Sequence, residues 1–102
     1  MDVNILDMVE IDFDALYERA GNSFDECRVE NEALFLEETG HPSTSISTKG
    51  EWVKLQFWGR DKDCYVVEVK LVLLSQSGQE IGWYSRHENE KREVVDDYLV
   101  FE

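Results

Sequence analysis

Two neighbouring carboxylates, Asp96 and Asp97, come nearest in this chain to a general acid/base pair. Such a pair needs a defined separation and a shifted pKa, and adjacency in sequence supplies neither. His87 stands beside Glu88 and Glu90, where it could form a pH-sensitive contact. The pattern is more typical of an exposed polar loop, and Asp96-Asp97 of a hydrated strand end. We therefore predict that no residue is catalytic.

Cysteines and histidines offer no metal site. Cys27 and Cys64 lie far apart, and His41 and His87 are isolated, whereas a zinc site needs ligand pairs at short spacing. The chain also has no glycine-rich phosphate loop or dinucleotide fingerprint. We expect no metal, no cofactor and no enzymatic activity. Two reduced, partly buried thiols are the favoured state of the cysteines, and a single disulfide is the alternative.

The net charge is −13 over 102 residues, and it is unevenly distributed. Residues 1–40 contain 12 acidic and 2 basic residues, whereas residues 41–102 contain 11 acidic and 8 basic residues. An acidic surface attracts basic partners and repels phosphate, so a basic protein is the expected partner and nucleic acid is not. The N-terminus lacks the basic and apolar regions of a signal peptide, and no apolar run is long enough to span a membrane. These features predict a cytoplasmic protein.

The acidic part, residues 1–40, is predicted to be helical. Asp12 is placed to cap a first helix that Gly21 ends. Ser23 and Glu26 match a capping box, which would start a second helix that stops at Gly40. Residues 33–38 could instead form an edge strand, but we favour the helix.

After a connecting loop at residues 41–50, apolar residues alternate with period two through residues 51–102. Alternation on the longest strand assigns one set of side chains to the inner face: Val67, Val69, Leu71 and Leu73. We expect Trp52, Trp58 and Tyr84 on the opposite face and Trp83 in the core. Short polar connections predict an antiparallel meander, with a charged loop at residues 88–93.

The predicted fold class is α+β, in a single domain of residues 1–102. One or two N-terminal helices pack on one face of a four-stranded antiparallel meander sheet. The last strand, Tyr98 to Phe101, is expected to be an exposed edge that could pair with another chain. A monomer or weak dimer follows from this reading.

A small acidic α+β domain resembles the immunity proteins of bacterial toxin systems, including contact-dependent growth inhibition. The stretch from Ile81 to Tyr98 resembles the C-terminal hairpin of small bacterial proteins, some of them encoded beside toxins. The resemblance implies a cognate toxin domain, commonly a nuclease, whose active site is blocked. A phage-encoded DNA mimic or anti-CRISPR-like inhibitor is the alternative. An enzyme or small-ligand domain is a third hypothesis, which requires polar groups that converge in a pocket.

The candidate partner-binding residues are outward carboxylates and aromatic side chains, since aromatic residues are enriched at binding hot spots. The candidates are Asp12, Asp14, Glu18, Glu30, Glu37, Glu38, Trp52, Trp58, Tyr84, Glu88, Glu90, Asp96 and Asp97.

Overall fold

A computed structural model describes residues 11–102, the side chains of residues 61 and 62 excepted. Residues 1–10, and with them the prediction that no signal peptide is present, lie outside the described residues. The described part contains helices α1 (Phe13–Glu30) and α2 (Glu32–Thr39), followed by a 3-10 turn (Ser43–Ser45). Four strands follow: β1 (Ser47–Trp58), β2 (Asp61–Leu74), β3 (Glu80–Asn89) and β4 (Val94–Phe101). They form one antiparallel sheet in the order β1-β2-β3-β4, which confirms the predicted fold class.

Helix α1 is longer than the sequence predicted. Asp12 caps it as expected, accepting a hydrogen bond from the Ala15 N–H at 3.1 Å. The predicted break between Gly21 and Ser23 is wrong, because the helix runs through both residues. The Ser23 hydroxyl accepts from Arg86 Nε at 2.9 Å on the sheet side, so it does not cap a helix. Three buried residues of α1 share one stripe across the predicted break: Leu16, Ala20 and Phe24.

Asn31 separates helix α1 from helix α2. The Asn31 side-chain amide donates to the Cys27 carbonyl at 2.8 Å, and the Asn31 backbone lies outside helical geometry. Helix α2 then ends at Gly40, whose φ of 73° is the left-handed cap conformation that glycine adopts readily. The preference for helix over edge strand at residues 33–38 is confirmed, as is the predicted stop at Gly40.

The connection to the sheet is shorter than predicted, because β1 begins at Ser47 and not at residue 51. Arg28 holds this connection, donating to the carbonyls of Ser43 (3.2 Å) and Ile46 (2.9 Å). Ile46 is 3% exposed and belongs to the core. A shift in register after Gly50 marks a β-bulge, which divides β1 into two paired stretches and interrupts the period-two pattern there.

The core lies between the helices and the inner face of the sheet. All four side chains predicted for the inner face of β2 are buried, which confirms that assignment. Phe24 contacts Phe35 and Tyr84 with ring centroids 5.9 and 5.5 Å apart, and Phe35 contacts Phe101 at 5.1 Å. Each large apolar side chain buried in this way contributes about 1.5–3 kcal/mol.

Strand β3 corrects the predicted placement of two aromatic residues. Tyr84 pairs with the inward-facing Leu71 and is 1% exposed, so its predicted place on the outer face is wrong. Trp83 pairs with Val72 on the outer face and is half-buried, so its predicted place in the core is also wrong. Two adjacent aromatic residues fit either parity of a strand, and only the pairing with β2 decides between them.

Strand β3 also extends into the predicted charged loop. It runs through Glu88 to Asn89, which leaves a short turn before β4. The Asn89 side chain accepts from the N–H groups of Lys91 (2.9 Å) and Glu93 (3.0 Å) and so replaces the missing ladder bonds in the turn. Neither described helix is long and apolar enough to cross a membrane.

Candidate binding surfaces

The helical layer presents carboxylates to solvent with few compensating cations. Arg19 and Arg28 are its two basic residues among the described positions, and both turn inward. Arg19 binds Glu88 of β3, and Arg28 binds two backbone carbonyls and Asp25. Nine carboxylate residues of this layer are exposed: Asp12, Asp14, Glu18, Asp25, Glu26, Glu30, Glu32, Glu37 and Glu38. The layer is therefore strongly anionic on its outer surface.

A groove of about 630 Å³ lies between the helices and strand β4. Four acidic residues line it, and its lining includes no basic residue: Glu26, Glu30, Glu38 and Asp97. Apolar side chains from both sides complete the wall: Leu34, Val94, Leu99 and Phe101. The groove combines carboxylates with apolar surface, which suits a ligand that carries both cations and aliphatic groups.

Two titratable side chains that line the groove, Tyr84 and Cys27, have raised pKa values. The Tyr84 hydroxyl donates to Asp97 Oδ2 at 2.9 Å, and burial together with this carboxylate raises the pKa of Tyr84 well above its usual value. Burial, and then the charge of Asp97, raises the pKa of the Cys27 thiol. A thiol with a raised pKa stays protonated at neutral pH, so Cys27 is a poor nucleophile. No disulfide joins Cys27 to Cys64.

Glu88 belongs to a buried ionic cluster under the helices. Arg19 binds it through two hydrogen bonds, from Nε at 3.0 Å and from a terminal nitrogen at 2.9 Å, and Arg86 binds it from within β3. The hydrogen bond to Glu88 raises the pKa of Arg19. Glu88 is 2% and Arg86 6% exposed. The prediction that Glu88 lies on the surface, where a partner could contact it, is therefore wrong. The inner-face position opposite Val67 determines this burial.

The outer face of the sheet carries a connected set of aromatic and charged side chains. The ammonium groups of Lys54 and Lys70 lie 3.9 and 4.2 Å from the Trp52 ring centroid. The Trp52 indole donates to Glu68 at 2.9 Å, and Glu68 also lies 3.2 Å from His87 Nε2. Trp52 is half-buried, and these contacts hold its ring against the outer face of the sheet.

The same face continues onto β4. The Tyr98 hydroxyl donates to Asp96 at 2.6 Å, which lowers the pKa of Asp96 and raises that of Tyr98. The ring of Tyr98 packs edge-on against His87, with centroids 5.4 Å apart. Asp96 and Asp97 therefore face opposite sides of the sheet, which separates the pair that the sequence placed together.

The structure disperses the predicted candidates over several surfaces. The groove brings together Glu30, Glu38 and Asp97, with Tyr84 in its wall. Asp12, Asp14, Glu18 and Glu37 remain on the helical layer. Trp58 is 58% exposed at the end of β1. Glu90 is exposed in the β3–β4 turn, beside a smaller cavity of about 290 Å³.

Sequence analysis missed Glu26, Leu34 and Leu99 as groove residues. The spacing of Glu26 and Glu30, four residues apart, places both on one helix face and was an available signal. The contribution of Leu99 follows only from the register between β3 and β4.

The described residues contain no group of three or more histidine, cysteine, aspartate or glutamate side chains able to hold a metal ion. No family model matches this chain, and neither a curated protein nor a solved structure matches it.

Proposed function

We propose that this chain is a non-catalytic acidic binding protein that docks onto a basic protein and neutralises it. The observation that carries the proposal is the helical layer, whose nine exposed carboxylates face outward while both arginines face inward. The partner that fits best is a toxin nuclease domain, which makes the chain an immunity protein. It acts in the cytoplasm, as a monomer or weak dimer.

Electrostatics supports this assignment. A nuclease that binds phosphate presents a basic active-site cleft, and a carboxylate surface complements that cleft. Charge complementarity raises association rates by about 10–10³-fold and suppresses encounters with wrong partners. Fast association matters for an immunity protein because it must occupy the toxin before nucleic acid is cut.

The two faces of the molecule differ in charge, which favours docking through the helical side. Lys54 and Lys70 lie on the outer sheet face, where the Trp52 ring contacts both and Glu51 pairs with Lys70 at 3.1 Å. A DNA mimic that inhibits a defence nuclease would use the same acidity and is the second candidate. The one-sided distribution fits a single docking face better than an all-round mimic.

The test is neutralisation of the protein encoded by the adjacent reading frame in a bacterial host. Expression of that protein alone should arrest growth, and co-expression of this chain should restore it. The double variant Asp14→Lys/Glu18→Lys should lose protection. The control Glu80→Lys/Glu102→Lys makes the same change in net charge at exposed positions outside the helices and should protect.

Three results would contradict the proposal. The protein encoded by the adjacent reading frame could fail to arrest growth, or it could arrest growth even when this chain is co-expressed. The third result is equal protection by both charge variants. An association with a phage gene cluster and inhibition of a defence nuclease would instead support the second candidate.

A further inference from the structure

Strand β4 forms one edge of the described sheet. The Glu102 N–H donates to the Ile81 carbonyl at 3.1 Å, so the backbone groups of Glu102 point towards β3. Because backbone groups alternate sides along a strand, those of Leu99 and Phe101 point away from β3, towards the open edge. An extended chain could bind there through main-chain hydrogen bonds.

The acidic groove lies beside this edge. Asp97, Leu99 and Phe101 line it from β4, and Glu26 and Glu30 line it from the last turns of α1. A strand added next to β4 would place alternate side chains over the groove, because side chains alternate between the two faces of a sheet. Cationic side chains at those positions would lie among the groove carboxylates, and their aliphatic stems would contact the apolar wall.

From this arrangement we infer that an extended segment of the basic partner, with lysine or arginine at alternate positions, adds to β4 as a fifth strand. The inference rests on the proposed function and specifies how the partner is bound. Main-chain hydrogen bonds supply affinity, and the groove carboxylates select for alternating positive charge.

A second copy of this chain is a poor occupant of the same edge. Strand β4 contains two aspartates and no basic residue, and the whole chain carries a net charge of −13. Self-pairing would bring like charges together at the groove.

The probe is a capped synthetic peptide of eight residues, the length of β4, with lysine and valine alternating. Binding is measured by titration at low salt and mapped by amide chemical shifts. The largest shifts are expected at Leu99, Phe101 and the end of α1. A peptide with glutamate in place of lysine should not bind.

Two N-methylated peptides test strand addition directly. One carries methyl groups on the backbone nitrogens of its lysines and the other on those of its valines. Each peptide therefore lacks one of the two alternating sets of backbone N–H donors. Only one set faces β4, so one methylated peptide should lose at least about tenfold in affinity and the other should bind like the parent. Equal affinity of all three lysine peptides would overturn strand addition.

Two protein variants test the groove. Glu26→Lys/Glu30→Lys should weaken peptide binding by at least about tenfold. The control Glu32→Lys/Glu37→Lys makes the same charge change on exposed residues outside the groove lining and should change affinity by no more than about threefold. Equal weakening by both variants would show diffuse attraction only and would overturn the inference.

The remaining outcomes separate this inference from the proposed function. Absence of peptide binding, or a stable dimer in sedimentation measurements at low salt, would overturn the inference. If Asp14→Lys/Glu18→Lys still loses protection against the protein encoded by the adjacent reading frame, the proposed function stands without strand addition. If Asp14→Lys/Glu18→Lys protects normally, the proposed function fails, whether or not the peptide binds.

Discussion

Glu88→Gln tests the buried ionic cluster that joins helix α1 to β3. Glu88 accepts two hydrogen bonds from Arg19 and one from Arg86, and it is almost completely buried. Glutamine keeps the shape of the side chain but removes the negative charge. It also replaces one acceptor oxygen with a donor that faces guanidinium groups. Arg86, 6% exposed, then keeps its charge but loses its ion pair with Glu88.

The expected loss is large because an uncompensated buried charge costs about 3–5 kcal/mol. The whole free energy of unfolding of a domain of this size is about 5–15 kcal/mol. Each kcal/mol shifts the melting temperature by about 4–8 °C, so the midpoint should fall by at least about 12 °C. Glu90→Gln, two residues along and exposed, should change stability by less than about 0.5 kcal/mol.

Urea and thermal unfolding followed by far-ultraviolet circular dichroism measure both variants. The double variant Arg86→Met/Glu88→Leu should recover most of the lost stability, since apolar replacement of a buried ion pair is often neutral or stabilising. Arg19 is 28% exposed and can reach water when Glu88 is removed. A melting temperature for Glu88→Gln within about 3 °C of the parent would refute the electrostatic reasoning. A double variant no better than the single one would assign the loss to packing.

Two further predictions concern the helices and the groove wall. Gly21→Ala should stabilise the protein by about 0.5–1 kcal/mol, because Gly21 lies inside a helix and its added Cβ meets no atom within 4 Å. Gly40→Ala should destabilise it by about 1 kcal/mol, because that position is left-handed; chemical denaturation checks the opposite signs, and destabilisation by Gly21→Ala would indicate a break in α1. Folding raises the pKa of Tyr84, so ionisation of this group should not lower the free energy of unfolding below pH 10. Above pH 10 the free energy of unfolding should fall by up to about 1.4 kcal/mol per pH unit. Tyr84→Phe should flatten this alkaline slope in denaturation series, and an unchanged slope would assign the dependence to other groups.

The sheet core and the ends of the helical layer were predictable because the signals are local. Alternation of Val67, Val69, Leu71 and Leu73 identifies an inner face without knowledge of the partner strands. Gly40 marks the end of the helices because a left-handed cap has a strong residue preference. Gly21 gave the same local signal but lies in a continuous helix, since the apolar stripe on both sides of it packs on the sheet.

The groove and the ionic cluster were not predictable because they depend on long-range register. Arg19 and Glu88 are 69 residues apart, and only the packing of α1 over β3 brings them together. Asp96 and Asp97 are adjacent in sequence, yet they separate onto opposite faces because side chains alternate along a strand. The outward carboxylates of the helices were recoverable, since helical periodicity alone places Asp14 and Glu18 away from the apolar stripe.

The central claim is that the helical carboxylates steer a basic partner, and the association rate constant tests it most directly. Stopped-flow mixing with the protein encoded by the adjacent reading frame, from low to high salt, measures that constant. The parent is compared with the helical variant and with the control variant outside the helices. The rate should fall steeply as salt screens exposed charges over about 8 Å at physiological ionic strength. Asp14→Lys/Glu18→Lys should lower it much more than Glu80→Lys/Glu102→Lys at low salt. A rate constant that is independent of salt, or equal in the two variants, would contradict the account.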